Sequence, residues 1–312
     1  VVISALILLP PQQQIANGTG IAAMFFVANV FIARNTGGYF DPPADSNPLL
    51  NTWSLSVEEQ FYFLFPVLIL LAVLARTFWN RHGRIVAVVV VVTGLSFALM
   101  VLRHSGALNV TWLNFYDPIQ RAWEFGVGSL FALVPLRYLA GKRWLGVFLS
   151  LLGVGLLIAA LVILKDPESY PGPLALLPVT ATVCLIAAGS TGSNVLGVAL
   201  SSRPLVMIGD ASYSIYLWHW PAVSFAVLLG AESSLVLMAA VLVAMVPAWV
   251  SYRFVETPLR VRMHDGKSVR WSIPAVTWAA PVMAVLLVVI IPKPPTGLEG
   301  TSGVDYLTFS EG

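Results

Sequence analysis

The sequence is poor in charged residues and in cysteine, and both shortages limit what the protein can be. Only 10% of its 312 residues are charged, whereas an average soluble domain has about 25%. The single cysteine, Cys184, lies in an apolar run, so no disulfide framework can form within the chain. A net charge of +2, with no basic patch carrying interleaved aromatic residues, argues against a nucleic-acid partner. The chain is therefore not an ordinary soluble globule.

Several catalytic signatures are also absent from the sequence. It has no G-x-x-x-x-G-K-[ST] loop for a nucleotide-driven pump, and no H-E-x-x-H motif or Cys/His cluster for a metal ion. It also has no G-x-S-x-G turn for a hydrolase nucleophile. We therefore predict no metal site and no bound cofactor. An enzyme with a membrane-embedded site and a secondary transporter both remain open.

Long apolar runs dominate what is present. Hydrophobic residues make up 58% of the chain, and its mean hydropathy is +0.83. A spanning helix needs about 20 apolar residues, so we predict an all-α, polytopic transmembrane helix bundle with about eight to ten segments. The candidate segments are residues 1–9, 20–33, 53–75, 84–102, 118–136, 144–164, 173–189, 211–229, 235–252 and 273–291.

The domain organisation follows from these segments. Residues 1–292 are expected to form one transmembrane domain, and residues 293–312 an extracytoplasmic tail. Segment 20–33 is too short to span comfortably, and we expect it to be tilted, interfacial or re-entrant. The first residue is not Met, and we expect the parent protein to begin further upstream.

Lysine and arginine in the loops predict the orientation, because such residues accumulate on the cytoplasmic side. If every segment from residue 53 onward spans, three basic loops fall on one side, while the loop 35–52 and the tail lie outside. The basic residues concerned are Arg76, Arg81, Arg84, Arg137, Lys142, Arg143, Arg253, Arg260, Arg262, Lys267 and Arg270.

Residues 51–66, NTWSLSVEEQFYFLFP, open a long apolar run yet carry adjacent carboxylates at Glu58 and Glu59. An acidic residue near the centre of a membrane helix costs roughly 2.5–3.5 kcal/mol, and less near an end. One structural explanation is a capping box in which Glu59 reaches back over Ser56 at the helix start. That explanation does not serve Glu58, so we predict a functional role for at least one of the two.

Three further groups of polar residues lie in or beside apolar segments. Arg121 and Glu124 are three positions apart and can either pair or form an anion site.

Within ASYSIYLWHWP (211–221), His219 shares a helical face with Ser212 and Tyr216, while Tyr213, Tyr216 and Trp220 share an overlapping face. A neutral imidazole there can act as a general base, although a purely structural aromatic belt is the alternative. Near residue 258, proline is expected to end the helix, with Glu256 paired to Arg253 or Arg260.

Taken together, these stretches resemble membrane acyltransferase family 3, the bacterial O-acyltransferases that modify lipopolysaccharide, peptidoglycan and other glycans. The matching pieces are GYFDPPADSNPLLNTWSLSVEEQFYFLFP (38–66), RAWEFGVG (121–128), ASYSIYLWHWP (211–221) and YRFVETPLR (252–260). Each motif is short, but their order and spacing make the resemblance specific.

The resemblance implies an integral O-acyltransferase of the bacterial inner (plasma) membrane. Its donor would be acyl-CoA, usually acetyl-CoA, used as a substrate, and its acceptor a sugar hydroxyl of a cell-envelope glycan. The candidate catalytic residues are Glu58, Glu59, Tyr216 and His219. The candidate substrate-binding residues are Trp53, Ser54, Arg121, Glu124 and Tyr213. The alternatives are a secondary transporter, an acyl-group exporter or an inactive membrane scaffold.

The chain departs from the family pattern at its amino terminus. The family's first helix carries an arginine or lysine followed about ten residues later by its usual catalytic histidine, and no such helix occurs here. We therefore expect the visible chain to be the family's domain without its amino-terminal helices. Many relatives also carry an extracytoplasmic SGNH domain, into which residues 293–312 would lead.

Overall fold

The computed structural model describes residues 4, 7–35, 46–75, 80–108, 110, 114–164, 172–192 and 195–264. Within these ranges the regular structure is helical throughout, which confirms the predicted all-α class. Short 3₁₀ turns lie at Leu136–Leu139 and Pro173–Ala175, and a π-helical turn lies at Tyr252–Glu256. The α-helices in chain order are α1 (Pro10–Met24), α2 (Ala28–Arg34), α3 (Thr52–Leu74), α4 (Arg81–His104), α5 (Ala122–Ala132), α6 (Arg143–Ile163), α7 (Leu176–Gly189), α8 (Val195–Leu200), α9 (Arg203–Asp210), α10 (Ser212–Leu228), α11 (Ser234–Ser251) and α12 (Thr257–His264).

Four helices in the described ranges are long and apolar enough to cross a membrane. They are α3, α4, α6 and the continuous helix Ser234–Arg260, which begins with α11. The predicted segments 53–75, 84–102 and 144–164 agree closely with α3, α4 and α6. Predicted segment 273–291 and the tail 293–312 lie outside the described residues.

Helices that are neighbours in the sequence pack as pairs, namely α4 with α5, α6 with α7, and α10 with α11. Small residues allow the close approach in two of these pairs. A Cβ atom built on Gly153 of α6 would lie 2.8 Å from Leu185 Cγ and 3.1 Å from the Ala181 carbonyl oxygen of α7. Gly126 of α5 faces Thr93 of α4 in the same way. Close packing through small residues is how helices associate when the surrounding medium is as apolar as their side chains.

The segment 20–33, expected to be tilted, interfacial or re-entrant, is interrupted rather than continuous. Helix α1 ends at Met24 and α2 begins at Ala28. Between them Phe26 adopts a φ of 57°, in the left-handed region that a phenylalanine rarely occupies. The break places Asn29 and the Phe26 carbonyl beside α3, as described below.

Helix α5 is shorter than the predicted segment 118–136. It has 11 residues and begins only at Ala122. The residues before it form a turn, in which the Asp117 carboxylate accepts a 2.9 Å hydrogen bond from the Ile119 backbone N–H. Asp side chains that bond their own backbone two residues on stabilise a turn instead of a helix. The start of the predicted helix was therefore wrong.

The expected end of the helix at Pro258 was also wrong. The helix continues from α11 through the π-helical turn Tyr252–Glu256 and into α12, which carries Pro258 in its first turn. Proline cannot donate the backbone hydrogen bond of an ordinary helix interior, but here it follows a π-helical turn in which the Thr257 N–H bonds five residues back, to the Tyr252 carbonyl. The π-helical turn shifts the helical register just before this proline.

The start of α3 lies beside the first half of α10. The Asn51 side-chain amide donates a 2.7 Å hydrogen bond to the Tyr216 carbonyl. Tyr216 is about 6 Å along the helix axis from Ser212, far less than the roughly 30 Å thickness of a bilayer core. The predicted orientation put the start of α3 outside and the start of α10 inside. The contact brings the two helix starts to nearly the same depth, so it does not agree with placing them on opposite sides of a membrane.

The packing of α6 against α7 makes a stability prediction. We expect Gly153→Ala to lower the free energy of unfolding by about 1–3 kcal/mol, because the new methyl group displaces Leu185 and meets the α7 backbone. Thermal unfolding in detergent, followed by tryptophan fluorescence, measures the change.

Gly155 of the same helix supplies a matched control, since a Cβ atom there meets no atom within 4 Å. Gly155→Ala should leave the stability unchanged or raise it by up to about 1 kcal/mol. Equal destabilisation by both substitutions would contradict the proposed close contact.

Candidate functional site

Asn51, the residue that precedes α3, joins this helix to α10. Its side-chain amide donates to the Tyr216 carbonyl at 2.7 Å, and its backbone carbonyl accepts from the Tyr216 hydroxyl at 3.0 Å. The Ser54 hydroxyl donates to the same carbonyl at 3.1 Å and contacts the Tyr216 hydroxyl. Asn51 is only 7% exposed. Two residues predicted to serve the site, Ser54 and Tyr216, are therefore in direct contact.

Asn47 makes a second connection between the same elements. Its backbone carbonyl accepts a 2.9 Å hydrogen bond from the Trp220 indole N–H of α10. Its side-chain amide donates at 2.9 Å to the hydroxyl of Thr19, which lies in α1. Both Asn47 and Thr19 are buried. The segment 47–51, which we call the 47–51 turn, thus holds α10 at two points and is itself held by α1.

His219 lies between these two points of attachment. Its Nδ1 atom is 3.2 Å from the Ile215 carbonyl oxygen. Because a carbonyl can only accept, Nδ1 must carry the proton in this contact. In a neutral ring the lone pair is then on Nε2, which is the atom that can act as a base. The His219 ring lies 5.4 Å from the Tyr216 ring, as the predicted shared face requires.

The two carboxylates of α3 have different surroundings. Glu58 is half-buried and accepts a 2.5 Å hydrogen bond from the Tyr62 hydroxyl one turn further along. Glu59 is exposed. Both lie within electrostatic range of Tyr213, at the start of α10. The two carboxylates of α3 therefore lie near the start of α10, although their own surroundings differ.

The proposed capping box at Ser56 and Glu59 is not formed. Helix α3 begins at Thr52, so Ser56 lies inside the helix and not at its start. The buried Ser56 hydroxyl donates to the Thr52 carbonyl at 3.1 Å. It also accepts a 3.2 Å hydrogen bond from the Ala28 backbone N–H, at the first residue of α2. Ser56 thus binds the break between α1 and α2, and Glu59 has no capping role.

Gln60 binds the same break from one turn further along α3. Its side-chain amide donates to the Phe26 carbonyl at 2.6 Å and to the Asn29 side-chain oxygen at 2.9 Å. Asn29 is buried and donates in turn to the Tyr116 carbonyl at 3.2 Å. Backbone groups released by a helix break inside an apolar bundle need such partners.

Arg121 lies against the first turn of α3. Its guanidinium carbon is 4.8 Å from the centre of the Trp53 ring, and Nη2 is 3.3 Å from the Glu124 carboxylate. The predicted ion pair is therefore confirmed, and a cation–π contact adds Trp53 to it. Asp117, in the turn before Arg121, is buried, and this burial raises the pKa of its carboxyl group above the ordinary value.

Glu256 anchors the π-helical turn to α10. One of its oxygens accepts a 2.8 Å hydrogen bond from the buried Ser214 hydroxyl. The other accepts from Arg260 at 2.6 Å, which confirms one of the two predicted pairings. A π-helical turn inserts one extra residue into a helix and so changes which side chains face a neighbour. Here the turn contains Glu256, whose side chain contacts α10, the helix that carries His219.

The sequence analysis missed the residues that assemble these contacts. Asn47, Asn51, Asn29 and Thr19 received no role, although each is buried and hydrogen-bonded. One signal was available, since a side-chain amide in an apolar chain must find a partner when it is buried. The catalytic roles predicted for Glu58, Glu59, Tyr216 and His219 stay predictions.

Comparison with known proteins adds independent information. Residues 1–253 match the model of a family described as an acyltransferase domain. The chain is 28% identical to the putative peptidoglycan O-acetyltransferase YrhL of Bacillus subtilis (strain 168), over 78% of this chain and 40% of that protein. It is 31% identical to the O-acetyltransferase OatA of Staphylococcus aureus (strain NCTC 8325 / PS 47), over 77% and 40% respectively. It is 29% identical to the peptidoglycan O-acetyltransferase OatA of Listeria monocytogenes, over 83% and 43%.

The aligned part is thus 40–43% of the length of these curated relatives. No solved structure matches the chain at a significant level.

The contact between Ser214 and Glu256 makes a second stability prediction. We expect Ser214→Ala to lower the free energy of unfolding by about 1–3 kcal/mol, because it leaves a largely buried carboxylate oxygen without its donor. Chemical or thermal unfolding in detergent measures the change. Removal of the Arg260 side chain should lower the free energy of unfolding by less, since that side chain is 60% exposed.

Glu232 provides the control for substitution of the acidic partner. Glu256→Gln should destabilise the protein, whereas Glu232→Gln, at an exposed position between α10 and α11, should not. If Ser214→Ala and Glu256→Gln both unfold like the unsubstituted protein, the contact contributes nothing to stability.

Proposed function

Because the chain belongs to the acyltransferase family whose model covers residues 1–253, we propose that it is an integral membrane O-acyltransferase. It transfers an acyl group, and first of all an acetyl group, from acyl-CoA to a sugar hydroxyl of peptidoglycan or another cell-envelope glycan. Two relatives are named as peptidoglycan O-acetyltransferases, one of them putatively, and this supports both the acetyl group and the acceptor. The four helices that are long and apolar enough to cross a membrane support a multi-pass membrane protein. We propose the bacterial inner membrane as its location.

The 3.2 Å contact between His219 Nδ1 and the Ile215 carbonyl oxygen is the observation that carries the catalytic assignment. Since Nδ1 donates to the Ile215 carbonyl, Nε2 is the ring atom that can take a proton. In the proposed reaction Nε2 removes the proton from a sugar hydroxyl as its oxygen attacks the thioester carbonyl carbon. The tetrahedral intermediate collapses, the carbon–sulfur bond breaks, and the imidazolium returns the proton to the CoA sulfur. The products are the sugar ester and free CoA.

The remaining polar residues suit the charges of such a reaction. The Tyr216 hydroxyl, on the same helix as His219, contacts the Ser54 hydroxyl, and both hydroxyls donate to the Asn51 carbonyl. Because each hydroxyl has a single proton, these two groups position the site in this arrangement and do not stabilise the oxyanion. Arg121 is a suitable group for the phosphates of CoA, because a guanidinium binds phosphate through two parallel hydrogen bonds. Glu58 and Glu59, within electrostatic range of Tyr213 at the start of α10, can orient the acceptor or hold a proton.

Acetyl transfer tests the proposal directly. Membranes that contain the protein should transfer label from radioactive acetyl-CoA to envelope glycan, and His219→Ala should reduce the rate by about 10²- to 10⁴-fold, the usual contribution of a general base. His104→Ala, at the exposed end of α4, is the control and should keep the full rate. If His219→Ala labels the glycan at the same rate, the protein is still an acyltransferase but His219 has only a packing role. Absence of labelling in the unsubstituted protein would contradict the proposed reaction.

The acidic pair of α3 gives a further prediction. Glu58→Gln and Glu59→Gln are to be made singly. We expect at least one of the two substitutions to abolish acyl transfer while membrane insertion stays intact. Glutamine keeps the size of the side chain and removes its charge, so a loss reports on the carboxylate itself. Transfer assays are to be paired with the amount of protein in the membrane fraction. Full activity in both variants would remove the pair from the site.

A further inference from the structure

We propose that the 47–51 turn is the positioning element for His219, and that Asn51 is its principal residue. This inference rests on the proposed function, since it assigns His219 a reacting atom. The turn itself touches the backbone and the hydroxyl of Tyr216 and the indole of Trp220. It acts on the reaction through α10, and Asn51 is therefore a positioning residue and not a catalytic one.

The geometry encloses His219 between two attachments. Tyr216 is three residues before His219, and Trp220 directly follows it. Asn51 holds the Tyr216 carbonyl at 2.7 Å and the Tyr216 hydroxyl at 3.0 Å, while Asn47 holds the Trp220 indole at 2.9 Å. Helix α10 is thus prevented both from rotating about its axis and from sliding along it at the turn that carries His219.

The orientation of the Asn51 amide is determined by its partner. A carbonyl oxygen can only accept, so the atom 2.7 Å from the Tyr216 carbonyl must be the nitrogen of the amide. The same side chain cannot be replaced by aspartate without placing two acceptors against each other. Asn51 is therefore chemically specific at this position, although it contacts no predicted reacting atom.

Thr19 extends the control of His219 to a distant element. The Asn47 amide donates to the Thr19 hydroxyl at 2.9 Å, and Thr19 donates in turn to the Ile15 carbonyl of its own helix at 2.8 Å. Thr19 and Asn47 are 0% and 4% exposed. The turn is therefore anchored on α1 and transmits the position of that helix to α10.

A double-mutant cycle tests the assignment. We expect Asn51→Ala to lower the rate of acetyl transfer by about 10- to 100-fold, because a displaced reacting group loses roughly this much. The KM for acetyl-CoA should stay unchanged, since Asn51 is not proposed to touch the donor. In a His219→Ala background, Asn51→Ala should cause no further fall, because both substitutions then remove the same contribution.

Asn35 supplies a matched control. Its amide also donates to a backbone carbonyl at 2.7 Å, that of Phe31, but within the end of α2 and away from α10. Asn35→Ala should keep the full rate. If Asn51→Ala lowers the transfer rate by the same factor with and without His219, the proposal is overturned, because Asn51 then acts independently of the histidine.

A second measurement does not depend on activity. Diethyl pyrocarbonate modifies the imidazole ring, and mass spectrometry of the purified protein gives the rate at which His219 reacts. Asn51→Ala should raise this rate, Trp220→Phe should raise it less, and Asn35→Ala should leave it unchanged. Unchanged reactivity in both Asn51→Ala and Trp220→Phe overturns the positioning role. If the unsubstituted protein transfers no acetyl group, the proposed reaction fails while this measurement still decides the role of the turn.

Discussion

The structure depends on one constraint: a side-chain amide or hydroxyl buried among apolar helices must be hydrogen-bonded, because no water is there to replace a missing partner. The 47–51 turn meets this constraint by joining three helices. Asn47 donates to Thr19 of α1, Asn51 donates to Tyr216 of α10, and α3 begins directly after the turn. A small number of polar contacts thus determines how otherwise interchangeable apolar surfaces are aligned.

Apolar packing alone would leave that alignment loosely specified. Leucine, valine and alanine side chains on helix surfaces can pack in several registers at similar free energy, and a surrounding lipid phase is no less apolar than the helices themselves. Gly153 allows α6 to approach α7 closely, but closeness does not select one rotation of α10 against α3. Directional hydrogen bonds do so, since a shift of about one residue would separate the Asn51 amide from the Tyr216 carbonyl.

The same constraint links the fold to the proposed chemistry. In the proposed reaction, His219 uses its Nδ1 proton within its own helix and Nε2 acts on the substrate. The helix is then held by residues that do not react. Gln60 and Ser56, both inside α3, similarly stabilise the break between α1 and α2, while the neighbouring Glu58 and Glu59 lie within electrostatic range of Tyr213 at the start of α10. One stretch of α3 therefore serves structure on one side and the candidate site on another.

The sequence by itself determined the all-α class and the positions of α3, α4 and α6. It offered the pair Arg121–Glu124 as one of two possibilities and gave Glu256 two possible partners, of which the structure selects Arg260. Each of these follows from residues that are close in the chain, through apolar run length or helical spacing. The late start of α5, the continuation through Pro258 and the absence of a capping box at Ser56 were decided by turn chemistry and packing. Only the tertiary structure decided that Asn51 holds Tyr216, because that bond joins residues 165 positions apart. Helical periodicity describes one helix at a time, whereas the register between two helices is set by side chains that meet only after both have packed.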